Sequence, residues 1–168
     1  LPNYRRVGVA RDDGKEKGEF SPVFYDTTVF RLISGRTLWL SPTPETPSKG
    51  WDAALPRVAT LAILKEKRGK DTLWVVNTHF DHIGKEARLH SAELIVKTLE
   101  PALKMGKKVI FMGDLNAEPT EAPILFLQQQ LAASCPATQS DKGTFNGFDI
   151  KRTTFPRIDY VWLSKGNW

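Results

Sequence analysis

The sequence contains little cysteine, little histidine and no long hydrophobic segment, and each shortage excludes a class of protein. Cys135 is the only cysteine, so the chain can form neither an intramolecular disulfide nor a cysteine-based zinc site. No apolar run approaches the roughly 20 residues that a membrane-spanning helix needs. We therefore expect a soluble protein, and its composition does not distinguish the cytoplasm from the periplasm or from secretion.

Length, charge and termini set broader limits. The 168 residues fit one domain, which at this size buries about two-thirds of the surface of the unfolded chain. The formal net charge of +5 and the pI near 9.4 would favour binding to a polyanion, but they do not by themselves indicate that the protein binds one. The chain starts at Leu1 rather than at a methionine and stops at Trp168 directly after a strand pattern. We expect that it is cut from a longer protein and that any signal peptide lies outside it.

The first third of the chain predicts short strands and loops. Three prolines within 41–50 exclude a helix or a central strand in that segment. The other local patterns predict an extended stretch at 4–9, a surface loop at 11–18, a hairpin of strands 23–25 and 28–33, a strand at 38–40 and a single helical turn at 51–57.

The middle of the chain predicts a β-α-β unit. Both alternating sets of side chains in residues 58–65 are mainly apolar, which favours a strand buried on both faces. A tight turn joins this strand to a second strand at 72–79. Apolar residues at three- and four-residue steps predict an amphipathic helix over 85–104, kinked or ended near Pro101, and a strand at 108–113 follows. The two strands of such a unit are parallel, so both finish at the same edge of the sheet.

The stretch 109–116 is the centre of the expected site. Its apolar residues lead into Gly113, Asp114 and Asn116, which predicts a buried strand that ends in polar side chains. Ligands of open α/β sheets bind beyond the carboxyl ends of the strands, and the β-α-β geometry brings His79 to the same place. The alternative is a simple turn, because aspartate and asparagine hydrogen-bond to their own backbone.

The last third predicts a second helix and a closing strand. Thr120 is the expected N-cap of the helix, Pro123 lies in its first turn, and a loop at 134–143 follows. Strand patterns return at 144–145 and 157–164. The buried face of the helix is expected to contain Ile124, Leu125, Leu127 and Leu131.

Asp159 lies among apolar residues in the last predicted strand. A carboxylate in such a strand is costly unless it is paired or hydrogen-bonded. It either forms a structural ion pair with Arg152 or Arg157, or it points toward the same edge as Asp114.

Histidine, aspartate and asparagine side chains at strand ends suit the hydrolysis of a phosphate ester. A carboxylate orients or deprotonates water, an amide fixes it, an imidazole donates to a phosphoryl oxygen, and a divalent metal serves as Lewis acid. The segment 77–84 also resembles the zinc signature of metallo-β-lactamases, but Asn77 occupies a histidine position and no histidine follows His90. A metal hydrolase of that type is kept as a distant alternative.

Four motifs taken together carry a family resemblance: residues 77–82, 113–116, 143–145 and 157–160. In this order and spacing they resemble the endonuclease/exonuclease/phosphatase family, its bacterial members in particular, over essentially the whole chain. The resemblance implies an α/β (α+β) fold, a deoxyribonuclease-like four-layer α/β/β/α sandwich of two mixed sheets. It also implies that residues 1–168 form one partial domain that is incomplete at both ends.

The resemblance implies catalytic roles for four residues. His79 would contact the scissile phosphate, and Asp114 would orient or activate the attacking water. Asn116 would hold water, phosphate or a metal, and Asp159 would orient a catalytic histidine that this chain lacks. The implied cofactor is Mg²⁺ or Mn²⁺, with Asp114 and Asn116 as its ligands in this chain.

Asn77, His82 and Arg88 are the candidates for substrate binding. The implied function is that of a metal-dependent phosphoesterase, either a phosphodiesterase such as a nuclease or a phosphatase. Its partner is a phosphate-ester substrate, with nucleic acid among the candidates, and no sequence feature indicates an obligate protein partner. The alternative is an inactive module that binds phosphate or nucleic acid on the same fold.

Two motifs of the family are absent from the sequence. Its principal glutamate ligand and its closing Asp-His pair have no counterpart, since Glu16, Glu19 and Glu45 lie in loop sequence. We therefore expect little or no activity from these 168 residues alone.

Overall fold

The computed structural model describes residues 2–135, 143–166 and 168, so most of the loop predicted at 134–143 lies outside the described residues. The elements within these ranges are β1 (Tyr4–Val7), β2 (Val23–Asp26), β3 (Phe30–Trp39), β4 (Val58–Glu66), β5 (Thr72–His79), α1 (Lys85–Lys104), β6 (Lys108–Asp114), α2 (Ala122–Gln130), β7 (Ala132–Ala133) and β8 (Asp159–Leu163).

Six strands form one mixed sheet in the order β3-β4-β5-β6-β8-β7. Strands β5 and β6 are parallel and are connected through α1, whereas the other neighbouring pairs are antiparallel. The predicted β-α-β unit and the hairpin of β4 and β5 are therefore confirmed. Because β5 and β6 run in the same direction, their carboxyl ends meet at one edge of the sheet.

Different layers cover the two faces of this sheet. Val75 and Val76 belong to separate buried clusters because neighbouring side chains of a strand point to opposite faces. Val76 packs in the main core, which contains the buried faces of α1 and α2. Val75 packs in the second cluster with Val23 of β2, which pairs with β1 in a two-stranded antiparallel sheet. This layering agrees with the predicted sandwich of helices and two sheets.

Helix α1 has the predicted bounds, and its first turn is capped from another part of the chain. Gly84 precedes the helix and has no side chain that could cap it. The carboxylate of Asp52 instead accepts a hydrogen bond from the N–H of Ala87 at 2.7 Å. The helix continues past Pro101 and ends at Lys104. In the described part of the chain, neither helix is long and apolar enough to cross a membrane.

The predicted hairpin of strands 23–25 and 28–33 is wrong. Strand β2 pairs with β1, whereas β3 pairs with β4, so the two segments belong to different sheets. Asp26 makes the turn between them, since its Oδ1 accepts the backbone N–H of Thr28 at 2.7 Å. Local composition identified the strands, but their partners depend on which layer buries each apolar face.

The predicted helical turn at 51–57 is also wrong. The N–H groups of Ala54 and Leu55 donate to the carboxylate of Asp81, at 3.0 and 3.2 Å, rather than to acceptors within the segment. Trp51 has a φ of 45°, outside the right-handed helical region. The segment is therefore an irregular connection whose hydrogen bonds lead to the loop after β5.

Smaller corrections concern the last third. Helix α2 begins at Ala122 with Glu121 as its N-cap, so Thr120 is not the cap. Leu125 is exposed, although the other predicted core residues of this helix are buried. Residues 144–145 form no strand, because both of their N–H groups donate to the carbonyl of Pro156.

Candidate active site

His79 and Asp114 meet at the carboxyl ends of the two parallel strands. They are register partners in the pairing of β5 with β6. The Nε2 atom of His79 lies 3.6 Å from Oδ2 of Asp114, and both side chains are partly exposed. The sequence-based inference that the β-α-β unit brings these residues together is confirmed.

Asn116 holds the chain in a sharp turn directly after β6. Its φ is 45°, a left-handed conformation that asparagine tolerates better than most residues. Its backbone N–H donates to Oδ1 of Asp114 at 2.9 Å, and its side-chain amide donates to the carbonyl of Phe80 at 3.0 Å. The turn and the site are thus the same feature, because the turn fixes the Asp114 carboxylate and leaves the amide oxygen of Asn116 for another partner.

Asp159 lies opposite Asp114 on the antiparallel neighbour β8. The apolar neighbours of Asp159 in the sequence suggested a buried side chain, but the residue is exposed. Within the described ranges it forms no ion pair with Arg152 or Arg157. The guanidinium of Arg157 lies over the ring of Tyr160, at 4.8 Å from its centroid. Asp159 therefore points toward the edge that contains Asp114.

The surroundings of Asp114 change its acidity. Burial raises the pKa of this carboxyl above its ordinary value, and the negative charge of Asp159 acts in the same direction. The hydrogen bond from Asn116 and the proximity of His79 act against the increase.

Glu19 is a site residue that the sequence analysis set aside as loop sequence. Its Oε1 lies 2.9 Å from Nδ1 of His79. An ionised carboxylate only accepts hydrogen bonds, so the Nδ1–H of His79 donates and Nε2 is left on the side of Asp114. The second carboxylate oxygen of Glu19 pairs with Arg11 and lies 3.5 Å from Nη1 of Arg57. Burial acts to raise the pKa of Glu19, but His79 and the two arginines hold it below its ordinary value.

Arg57 connects this cluster to the loop after β5. Its buried guanidinium lies 3.4 Å from Oδ2 of Asp81 and donates to Nδ1 of His82 at 3.1 Å. Burial acts to raise the pKa of Asp81, but backbone N–H groups, that of Gly84 first among them, hold it well below its ordinary value. His82 is thus placed in the supporting network beside Arg57.

Asn77 and Arg88 make contacts that stabilise the fold. The side-chain amide of Asn77 donates to the carbonyl of Pro22 at 2.9 Å and links β5 to the segment before β2. The buried guanidinium of Arg88 donates to the carbonyl of Asp81 at 3.2 Å and to Glu121 at 3.0 Å. The assignment of Asn77, His82 and Arg88 to substrate binding remains a prediction.

An open cleft of about 980 Å³ lies beside the cluster. Its lining includes the carboxylates of Asp114 and Asp159 and the positively charged side chain of Arg157. Thr144 and Tyr160 contribute to the rim. The cleft can therefore accommodate a phosphate group together with part of the group esterified to it.

The described residues offer a partial set of metal ligands. Mg²⁺ binds through one or two carboxylates and keeps several waters, which suits the oxygen atoms of Asp114 and Asn116. No group of three or more histidine, cysteine, aspartate or glutamate side chains in the described ranges is arranged to hold a metal. The donor chemistry fits a hard divalent cation that substrate oxygens and water would coordinate further.

The fold and the site together define a class, a two-sheet α/β sandwich with imidazole, carboxylate and amide groups at the ends of its central strands. Residues 8–168 match the model of the Endonuclease/Exonuclease/phosphatase family, and the chain belongs to this family. The match confirms the predicted family, and nothing remains to support the metallo-β-lactamase alternative.

Solved structures and a viral relative resemble the chain over nearly its whole length. An endonuclease/exonuclease/phosphatase family protein from Bacteroides thetaiotaomicron is 38% identical with a TM-score of 0.87, covering 98% of this chain and 60% of that one. A mannosyl-6-phosphatase from the same species is 39% identical with a TM-score of 0.87, covering 99% of this chain and 64% of that one. An uncharacterised protein of Acanthamoeba polyphaga mimivirus is 28% identical over 98% of this chain and 56% of its own length. The likeness confirms the fold class, and this chain spans less than two-thirds of each of these relatives.

Proposed function

We propose that the protein containing this chain is a metal-dependent phosphoesterase that hydrolyses a phosphate monoester. The observation that carries this proposal is the approach of His79 Nε2 to within 3.6 Å of Asp114 Oδ2 at the edge of an open cleft. A carboxylate beside an imidazole is the arrangement that activates water and contacts a phosphoryl oxygen. The mannosyl-6-phosphatase relative, at 39% identity, favours a phosphatase over a nuclease.

The reaction proceeds by in-line attack of water on phosphorus. The Asp114 carboxylate accepts a proton from the water as its oxygen bonds to phosphorus. The bond between phosphorus and the ester oxygen breaks, and the leaving alcohol takes up a proton from solvent. His79 contacts a phosphoryl oxygen through the Nε2 edge of its ring and stabilises the charge that develops there.

Asp114 and Asn116 would hold the metal through their side-chain oxygens. The chemistry that Mg²⁺ or Mn²⁺ would supply there is neutralisation of charge on the phosphoryl group. Removing the metal with EDTA is therefore expected to lower phosphate release from mannose 6-phosphate by about 100-fold or more, with recovery after Mg²⁺ or Mn²⁺ is added back. The assay uses the protein at its natural length. Undiminished hydrolysis in excess EDTA would show that the reaction needs no metal.

Glu19 is expected to act by positioning His79. A Glu19→Gln substitution keeps the size of the side chain but removes the charge that holds the Nδ1–H of His79, so kcat is expected to fall about 10- to 100-fold. Phosphate release measures the change, with KM recorded separately. Glu16→Gln, in the same loop, is the matched control and should leave kcat unchanged. Equal kcat values for the two variants would exclude the positioning role.

An inactive phosphate-binding module is the second candidate, because the described residues contain only a partial ligand set. The two candidates differ in one measurement. The enzyme releases phosphate in the presence of a divalent metal, whereas the module binds mannose 6-phosphate in a calorimetric titration without turnover.

A further inference from the structure

The loop 143–157 exposes an unusual amount of apolar surface next to the cleft. The side chain of Phe148 is 92% exposed, that of Ile150 is 93% exposed and that of Phe155 is 40% exposed. Single exposed apolar residues are common, but several in one loop beside a polar site indicate a binding surface.

This loop is anchored to the edge of the sheet that contains the site. The hydroxyl oxygen of Thr144 accepts the N–H groups of Ile158 and Asp159, each at 3.0 Å. The backbone N–H of Thr144 donates to the carbonyl of Pro156 at 3.0 Å. Thr144 also lines both the main cleft and a smaller pocket of about 360 Å³. The smaller pocket therefore adjoins the main cleft at Thr144.

Three phenylalanine residues, Phe145, Phe148 and Phe155, form an aromatic corner in this smaller pocket. The ring centroids of Phe145 and Phe148 are 5.5 Å apart and their planes are inclined at 88°. Phe148 has a φ of 61°, an unfavourable value for a bulky residue, and its N–H donates to Oδ1 of Asn146 at 3.0 Å. The backbone of Phe148 is thus held locally while the residue remains open to solvent.

We propose that this corner, formed by Phe145, Phe148 and Phe155, is a subsite for the sugar ring of a sugar phosphate. The inference rests on the proposed phosphatase function, because the phosphate would lie near Asp114 while the ring of the alcohol reaches the corner. A puckered ring has C–H groups on several sides and fits two perpendicular aromatic surfaces. A flat nucleobase would stack on only one of the two perpendicular faces.

The test compares a sugar phosphate with a phosphate ester that has no ring. In the protein at its natural length, Phe148→Ala is expected to raise KM for mannose 6-phosphate about tenfold and to leave kcat and KM for methyl phosphate unchanged. Phe24→Ala is the matched control, since Phe24 is 64% exposed on β2 in the other sheet. Phe24→Ala should leave kcat and KM for both substrates unchanged. Phe148→Trp, which restores an aromatic face, should return KM to near the value of the unmodified protein.

The outcomes separate this subsite from the proposed function. An equal loss with both esters, or no change with either, would overturn the subsite while leaving hydrolysis established. If Phe148→Ala raises KM for adenosine 5′-phosphate more than KM for mannose 6-phosphate, the assignment of the corner to a sugar ring is overturned. If neither ester is hydrolysed, the phosphatase function is rejected. The binding of mannose 6-phosphate, measured by calorimetry, then shows whether the subsite exists. The affinity for mannose 6-phosphate must then be about tenfold weaker in Phe148→Ala than in the unmodified protein. An equal affinity in the two proteins, or no detectable binding to the unmodified protein, rejects the subsite.

Discussion

Replacing Asp114 with asparagine is expected to lower the rate of phosphate release about a thousandfold. Asparagine has nearly the same shape and can still accept the backbone N–H of Asn116, which now bonds to Asp114 at 2.9 Å. It cannot accept a proton from water, and it adds no negative charge to a metal site. The expected loss is therefore in kcat, measured on the protein at its natural length with mannose 6-phosphate and saturating Mg²⁺.

Asp71→Asn provides the matched control for this experiment. Asp71 directly precedes β5, at the opposite end of the strand from His79, and its carboxylate pairs with Lys108 on the surface. Exposed ion pairs of this kind contribute little to stability, so this variant should keep full activity. Thermal unfolding should confirm that both variants are folded. An Asp114→Asn protein that retains most of its activity would remove Asp114 from the catalytic group.

Replacing Gly113 with alanine is expected to have the largest effect on stability. The φ of Gly113 is 151°, and a Cβ atom built there would lie 2.0 Å from the carbonyl oxygen of Thr78 on the neighbouring strand. The contact is with backbone, so relief requires β5 and β6 to separate just where His79 and Asp114 meet. We expect a loss of about 3 kcal/mol in the free energy of unfolding and a melting temperature lower by roughly 10 °C.

Gly166→Ala separates the conformational cost from the steric clash. Gly166 also has a positive φ, 82°, but nothing lies within 4 Å of a Cβ atom placed there. Its substitution should therefore cost only about 1 kcal/mol. Similar melting temperatures for the two alanine variants would show that the contact with Thr78 is unimportant.

The β-α-β unit could be predicted because its signals are local. The period of apolar residues over 85–104 and the apolar run before Gly113 are both visible without any tertiary contact. The rule that such strands are parallel then places His79 beside Asp114, and the structure has them as register partners. This part of the site follows from chain order and strand direction alone.

Glu19 and Asp159 show where the prediction stops. Glu19 lies in a polar loop far along the chain from His79, and nothing in its neighbourhood indicates that its carboxylate reaches the imidazole. The residues around Asp159 suggest burial, yet its side chain is exposed because Asp159 is the first residue of β8 and pairs with Asp114, the last residue of β6. Both depend on contacts between distant segments, which residue patterns do not encode individually.

By itself, therefore, the sequence determined the family, the central β-α-β unit and the residues at its strand ends, since these depend on periodicity and on motifs of adjacent residues. The tertiary structure decided the layer in which β2 lies, the partner of His79 and the face that Asp159 presents. It also decided that the aromatic corner of Phe145, Phe148 and Phe155 opens beside the cleft. The physical reason is that burial, strand partnership and side-chain hydrogen bonds are settled only when segments far apart in the chain pack against each other.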